Sequence, residues 1–122
     1  MKGSQASLLK IYISESDKIG SSPLYEEIVA EARNDGLAGA TVHRGILSFG
    51  ASHSIHTMKI FALSNHLPVV IEIVDKKKTI KEFADKVNDL IKESKKGALV
   101  TIQDVEVVEY KAGDKYNQFK SF

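Results

Sequence analysis

The chain has no cysteine, which excludes disulfides, thiolate metal sites and cysteine nucleophiles together. That absence fits a reducing compartment. No apolar run approaches the roughly 20 residues that a membrane-spanning helix needs. Met1-Lys2-Gly3-Ser4-Gln5 carries no hydrophobic stretch of signal-peptide length. A cytoplasmic location without membrane insertion is therefore expected. An excess of one charge is also missing: 17 basic residues face 16 acidic ones, for a net charge of +1. A dedicated nucleic-acid binder would carry a basic excess, so no nucleic-acid partner is expected. Nothing repeats at a solenoid period, and no Pro- or Ser-rich linker divides the chain. Also absent are the G-x-S-x-G elbow, the H-E-x-x-H helix and the Walker-type phosphate loop, so an enzyme is not the first expectation.

What remains is the composition of an ordinary globular protein, 43% apolar and 27% charged over 122 residues. This is enough for one core, and the whole chain, 1–122, reads as a single domain with its core at about 8–110 and a C-terminal tail at 111–122.

Alternation over Leu8 to Ser14 predicts a first strand, with Leu9, Ile11 and Ile13 on one face and Leu8, Lys10, Tyr12 and Ser14 on the other. Ser22 as N-cap and Pro23 at the first position open a helix with the stripe Leu24, Ile28, Ala32. Asn34-Asp35-Gly36-Leu37 ends it, with Gly36 left-handed. A second strand runs from about Ala40 to Phe49, with Gly45 inside it, and a long connection follows. Val69 to Val74 is the plainest strand, apolar on both sides except at Glu72, as in a strand buried on both faces. Thr79 and Glu82 fit a capping box for a second helix that Gly97 closes. The last strand, Ala98 to about Tyr110, changes apolar phase at Val105 and Val107, which predicts a bulge or break near Gln103-Asp104. The order βαββαβ predicts an α+β, ferredoxin-like sandwich: a four-stranded antiparallel sheet with both helices on one face. Lys10 and Glu72 should then share the open face on adjacent strands. Leu8, Tyr12, Val70 and Val74 leave that face too apolar for a monomer.

The blocks Pro23-Leu24-Tyr25, Ala38 to Gly50, Ser54-Ile55-His56-Thr57 and Leu67 to Asp75 closely resemble the PII-like domain-of-unknown-function family 190, related to the nitrogen-regulatory PII proteins. The resemblance spans roughly Leu8 to Val108. It implies a homotrimer with sheets toward the centre, and a trimeric signalling protein that binds a small anionic effector at subunit clefts. An adenine nucleotide (ATP, ADP or AMP, with or without Mg) is the implied effector, and a regulated protein or transporter the implied partner. Arg44-Gly45 and Phe49-Gly50 resemble the base-of-loop segment of PII proteins, and Lys95-Lys96-Gly97 occupies the place of their second Gly-containing turn. The modifiable tyrosine segment of PII loops is missing here, and no arginine follows Arg44.

The implied nucleotide-binding set is thus Arg44, Gly45, Phe49, Gly50, His53, His56, Lys95, Lys96 and Gly97. Each residue also has a plainer reading. Gly45 in a strand indicates either close approach of a ligand or neighbouring subunit, or a bulge. Lys95 and Lys96 suit the carbonyl end of any helix. His53 and His56, three apart in the connection, suggest the alternative of a divalent-metal-binding trimer of the cation-tolerance type, with Glu72 or Asp75 as further donors. His43 is expected to be packed or at an interface. Glu15 and Asp17 read as ordinary loop carboxylates. An enzyme acting on a phosphorylated small molecule at the clefts is the remaining alternative. The connection 51–66 is expected to be the most mobile internal region, ordered by an anionic ligand.

Overall fold

Alternate residues of four strands divide one sheet into a covered face and an open one. The computed structural model describes residues 3–49, 56–57 and 67–113. Its elements are β1 (Gly3–Ser14), β2 (Lys18–Ile19), β3 (Ser22–Pro23), α1 (Leu24–Asn34), β4 (Thr41–Arg44), β5 (Leu47–Ser48), β6 (His56–Thr57), β7 (Pro68–Lys76), α2 (Lys77–Ser94) and β8 (Leu99–Val107). The main sheet has the order β4-β7-β1-β8, all antiparallel. The α+β ferredoxin-like architecture is as the residue pattern indicates. β2 with β3, and β5 with β6, form two small ladders that the sequence did not reveal.

Leu9, Ile11, Ile71 and Ile73 sit on the covered face beneath Leu24 and Ile28 of α1 and Ile80, Phe83 and Val87 of α2. All are essentially inaccessible to solvent. Each such aliphatic side chain contributes about 1.5–3 kcal/mol by leaving water. The opposite face carries Leu8, Lys10, Tyr12, Val70, Glu72 and Val74, and Lys10 lies directly across from Glu72. β7 is therefore buried on one face and only half-buried on the other, not buried on both.

Several boundaries differ from the sequence reading. β1 starts at Gly3, five residues before Leu8. Pro23, not Ser22, is the N-cap of α1, because the β2–β3 ladder holds Ser22 and Pro23 extended. The first helical amide, that of Leu24, donates instead to the Asp17 carbonyl at 2.8 Å. The C-terminus of α1 follows expectation: Gly36 has φ +78°, and the amides of Gly36 and Leu37 donate to the carbonyls of Arg33 and Ala32, both at 3.1 Å.

Thr79 and Glu82 do not cap α2, because β7 runs straight into the helix and Thr79 is already in its first turn. The N-cap residue, Lys76, makes no side-chain capping bond; just before it the buried Asp75 carboxylate accepts from the Lys76 amide at 2.7 Å and from the Ala38 amide at 2.9 Å. Nor does Gly97 end α2. Lys95 takes the left-handed position with φ 61°, and Ser94 closes the turn by donating to the Ile91 carbonyl at 2.6 Å and accepting from the Lys96 amide at 3.2 Å. β8 has no bulge at Gln103-Asp104; its pairing with β1 is regular from Leu99 to Val105. The apolar residues change face while the backbone stays in register. The one irregularity lies between Gly3 and Ala6 of β1, opposite Val105 to Val107.

Candidate functional site

At one end of the sheet β1 stops, β7 starts and β4 stops, since Ser14 pairs with Pro68 and Arg44 with Val69. Two backbone hydrogen bonds pin this junction: Glu15 N–H to the Leu67 carbonyl and Gly45 N–H to the Pro68 carbonyl, both 2.8 Å. Gly45 is needed because of a neighbour in its own chain. A Cβ there would lie 2.8 Å from Pro68 Cγ, so neither a ligand nor another subunit is required to account for it. That contact, with the hydrogen bond beneath it, separates β4 from β5.

Across this junction the Arg44 guanidinium donates to the Glu15 carboxylate. The Arg44 side chain is 54% exposed, whereas that of Glu15 is 13% exposed. The turn after β1 is itself fixed: the Ser14 amide donates to an Asp17 carboxylate oxygen at 3.0 Å, and the Ser14 and Ser16 hydroxyls are 3.0 Å apart. The Glu15 carboxylate is thus mostly shielded from solvent, and Arg44 supplies its counter-charge. Sequence reasoning passed over Glu15 because its partner lies 29 positions away. The βαββαβ order contains the signal, because it sets the ends of the first and second strands on either side of the third.

Lys95, Lys96 and Gly97 are exposed and lead into β8, whose Leu99 pairs with Tyr12. They therefore lie at the same sheet end as Arg44, but beside the opposite edge strand. The order β4-β7-β1-β8 puts three inter-strand steps between the edges, about 14 Å at the usual spacing. One chain does not bring the two groups together. Phe49 is 66% exposed beyond β5. Gly50, His53 and His66 fall outside the described residues, as does most of the connection 51–66 expected to be mobile. His56 pairs through its backbone with Ser48 in the β5–β6 ladder; its side chain is likewise outside the description.

His43 lies on the open face, where its Nε2 is 2.8 Å from Glu72 Oε1. A cleft of about 610 Å³ opens beside this pair, with Leu8, Val74, Val107 and Tyr110 among its walls. A second, of about 420 Å³, lies between α1 and β4 and includes Tyr25, Val29, Arg33 and Val42. Among the described residues no three His, Asp or Glu side chains converge as a metal site; Glu72 is engaged by His43 and Asp75 by backbone amides. Elsewhere, the hydrogen bond from Lys77 holds the Asp104 carboxyl below its ordinary pKa, and the hydrogen bond to Asp35 holds the Lys86 ammonium above its own. Both ion pairs tie the helices to neighbouring elements.

The family model DUF190, described as Uncharacterized ACR, matches residues 6–107. The chain belongs to the DUF190 family. A UPF0166 protein of Aquifex aeolicus (strain VF5) is 38% identical over 101 residues, covering 83% of this chain and 91% of the relative. Among solved structures, this DUF190 chain is similar to CPII from Thiomonas intermedia K12, a nitrogen regulatory PII-like protein bound to ADP, AMP and bicarbonate. That match has a TM-score of 0.66 at 12% identity, over 85% of this chain and 89% of the other. The divalent ion tolerance protein CutA1 from Ehrlichia chaffeensis matches with a TM-score of 0.56 at 16% identity, over 95% and 92%. The likeness establishes a PII-like fold for the DUF190 chain. No helix among the described residues is long and apolar enough to cross a membrane.

Proposed function

We propose that the chain is the subunit of a PII-like regulatory homotrimer that binds a small anionic effector at subunit clefts and acts on a partner protein or transporter. The effector is an adenine nucleotide, ATP, ADP or AMP, with or without Mg. The observation that carries this reading is the split of the basic groups: Arg44 at one edge of the sheet, Lys95 and Lys96 at the other, all at the same end. A cyclic assembly that sets the β4 edge of one subunit beside the β8 edge of the next joins the two halves. The exposed apolar residues agree with such edge contacts, since Val42 is on β4 and Leu99 and Ile102 are on β8. Guanidinium and ammonium groups together suit phosphate oxygens. The bound nucleotides of CPII, which shares the fold, point to the same ligand class.

Isothermal calorimetry of the full chain with ATP, ADP and AMP, with and without magnesium, tests this. Binding is expected, and Lys96→Ala should weaken it while the oligomer persists. No heat at millimolar nucleotide would sink the reading. The fold likeness to CutA1 favours a second reading, a divalent-metal-binding trimer that uses His53 and His56. It takes precedence if a divalent cation, and no nucleotide, raises the melting temperature.

A further inference from the structure

The base that the proposed anion site needs is already occupied by an acid of its own chain. Arg44 is more than half exposed while Glu15 is only 13% exposed, so solvent reaches the guanidinium more readily than the carboxylate. Among the described residues Arg44 is the only hydrogen-bonding or ion-pairing partner of the Glu15 side chain. The pair spans Leu67–Pro68, where the long connection returns to the sheet. On either side of it the backbones of Glu15 and Gly45 are bonded to Leu67 and Pro68.

We infer that Glu15 is a built-in competitor for the anionic ligand of Arg44. This deepens the proposed function and rests on it. In the resting chain the carboxylate neutralises the guanidinium. Phosphate oxygens arriving at Arg44 compete for the N–H donor that Glu15 holds, and an anion that takes it leaves a carboxylate only 13% exposed without its counter-charge, which is costly. The competition has two consequences. Affinity is set below what Arg44 alone would give, and an anion that captures Arg44 removes the side-chain tie across Leu67–Pro68, leaving the two backbone hydrogen bonds to hold it. Ligand occupancy is thereby coupled to the base of the long connection.

Calorimetry with ADP on the full-length wild type, Glu15→Gln, Arg44→Ala and the double variant tests this, with a thermal melt of each chain as a folding control. Glu15→Gln keeps the shape and removes the charge, and it should bind ADP about tenfold more tightly than wild type. Arg44→Ala and the double variant should bind at least about tenfold more weakly than wild type. A merely structural Glu15 would give unchanged or weaker binding in Glu15→Gln, so the direction of the change is diagnostic. If Glu15→Gln does not fold, Glu15→Asp, which withdraws the carboxylate by one methylene, should also bind more tightly. Wild type binding ADP while the folded Glu15 variants bind equally or more weakly would overturn the competitor and leave the proposed function standing. Arg44→Ala binding as wild type does would also overturn the competitor. Absence of ADP binding in every chain overturns the competitor, and absence of ATP and AMP binding as well overturns the proposed function with it.

Discussion

The two faces of the sheet draw on the same strands, residue by alternate residue, and have opposite characters. Leu9, Ile11, Ile71 and Ile73 face the helices and are at most 1% exposed. Lys10, Tyr12, Val70, Glu72 and Val74 face away and stay half-buried or exposed. Beneath the helices the covered face is apolar, with Ser7 and Asp75 buried at one end of it, and it has no choice of partner. On the open face, charges interrupt the apolar rows at one level, where Lys10 lies across from Glu72 and His43 bonds to it. The first face specifies the fold. The second is suited to association, because it has apolar area to bury and charges that fix how a partner sits.

The comparison breaks first at Ile71. Ile71→Ala should destabilise each subunit by about 2–5 kcal/mol, read as a lower denaturation midpoint, because it leaves a cavity beneath both helices. Gly45→Ala should cost less, about 1–3 kcal/mol, since the Pro68 ring must give way. Its effect belongs at the sheet end, so amide exchange should quicken near Gly45 and Pro68 and leave Ile73 protected. The smallest effect concerns the surface pair of Lys77 and Asp104. The carboxyl pKa is lowered in the folded chain, so its contribution is present at neutral pH and is lost as pH falls through the depressed value. Asp104→Asn should therefore make the acid limb of stability against pH shallower and change neutral stability little. A steeper acid limb would contradict the assignment.

Much of the fold was legible because local signals and long-range pattern agreed. Val69 to Val74 announced a strand, and Asn34-Asp35-Gly36-Leu37 formed the helix end its residues favour. The reading failed where a tertiary partner outcompeted a local signal. Thr79 and Glu82 make a sound capping box, yet β7 runs to Lys76 and α2 starts at Lys77, so Thr79 is already inside the helix. Gly97 would end a helix, but Ser94 and Lys95 end it first. The apolar phase change in β8 suggested a bulge because periodicity cannot separate a slipped backbone from apolar residues that switch faces. The candidate site was legible in part: the residue pattern singled out Arg44 and Gly45 but put both inside one strand from Ala40 to Phe49, whereas β4 ends at Arg44 and Gly45 lies beyond it, and the Glu15 carboxylate and the Pro68 ring that define their surroundings come from distant segments.

Size-exclusion chromatography with light scattering tests directly whether the open face is a subunit interface, as the proposed homotrimer requires. For a chain of 13.4 kDa, the wild type at micromolar concentration should show the mass of three chains. Val70→Asp should reduce it toward one, since the new carboxylate would be buried there without water or a counter-ion. A wild-type mass of a single chain would contradict the assembly and the cleft-bound effector with it.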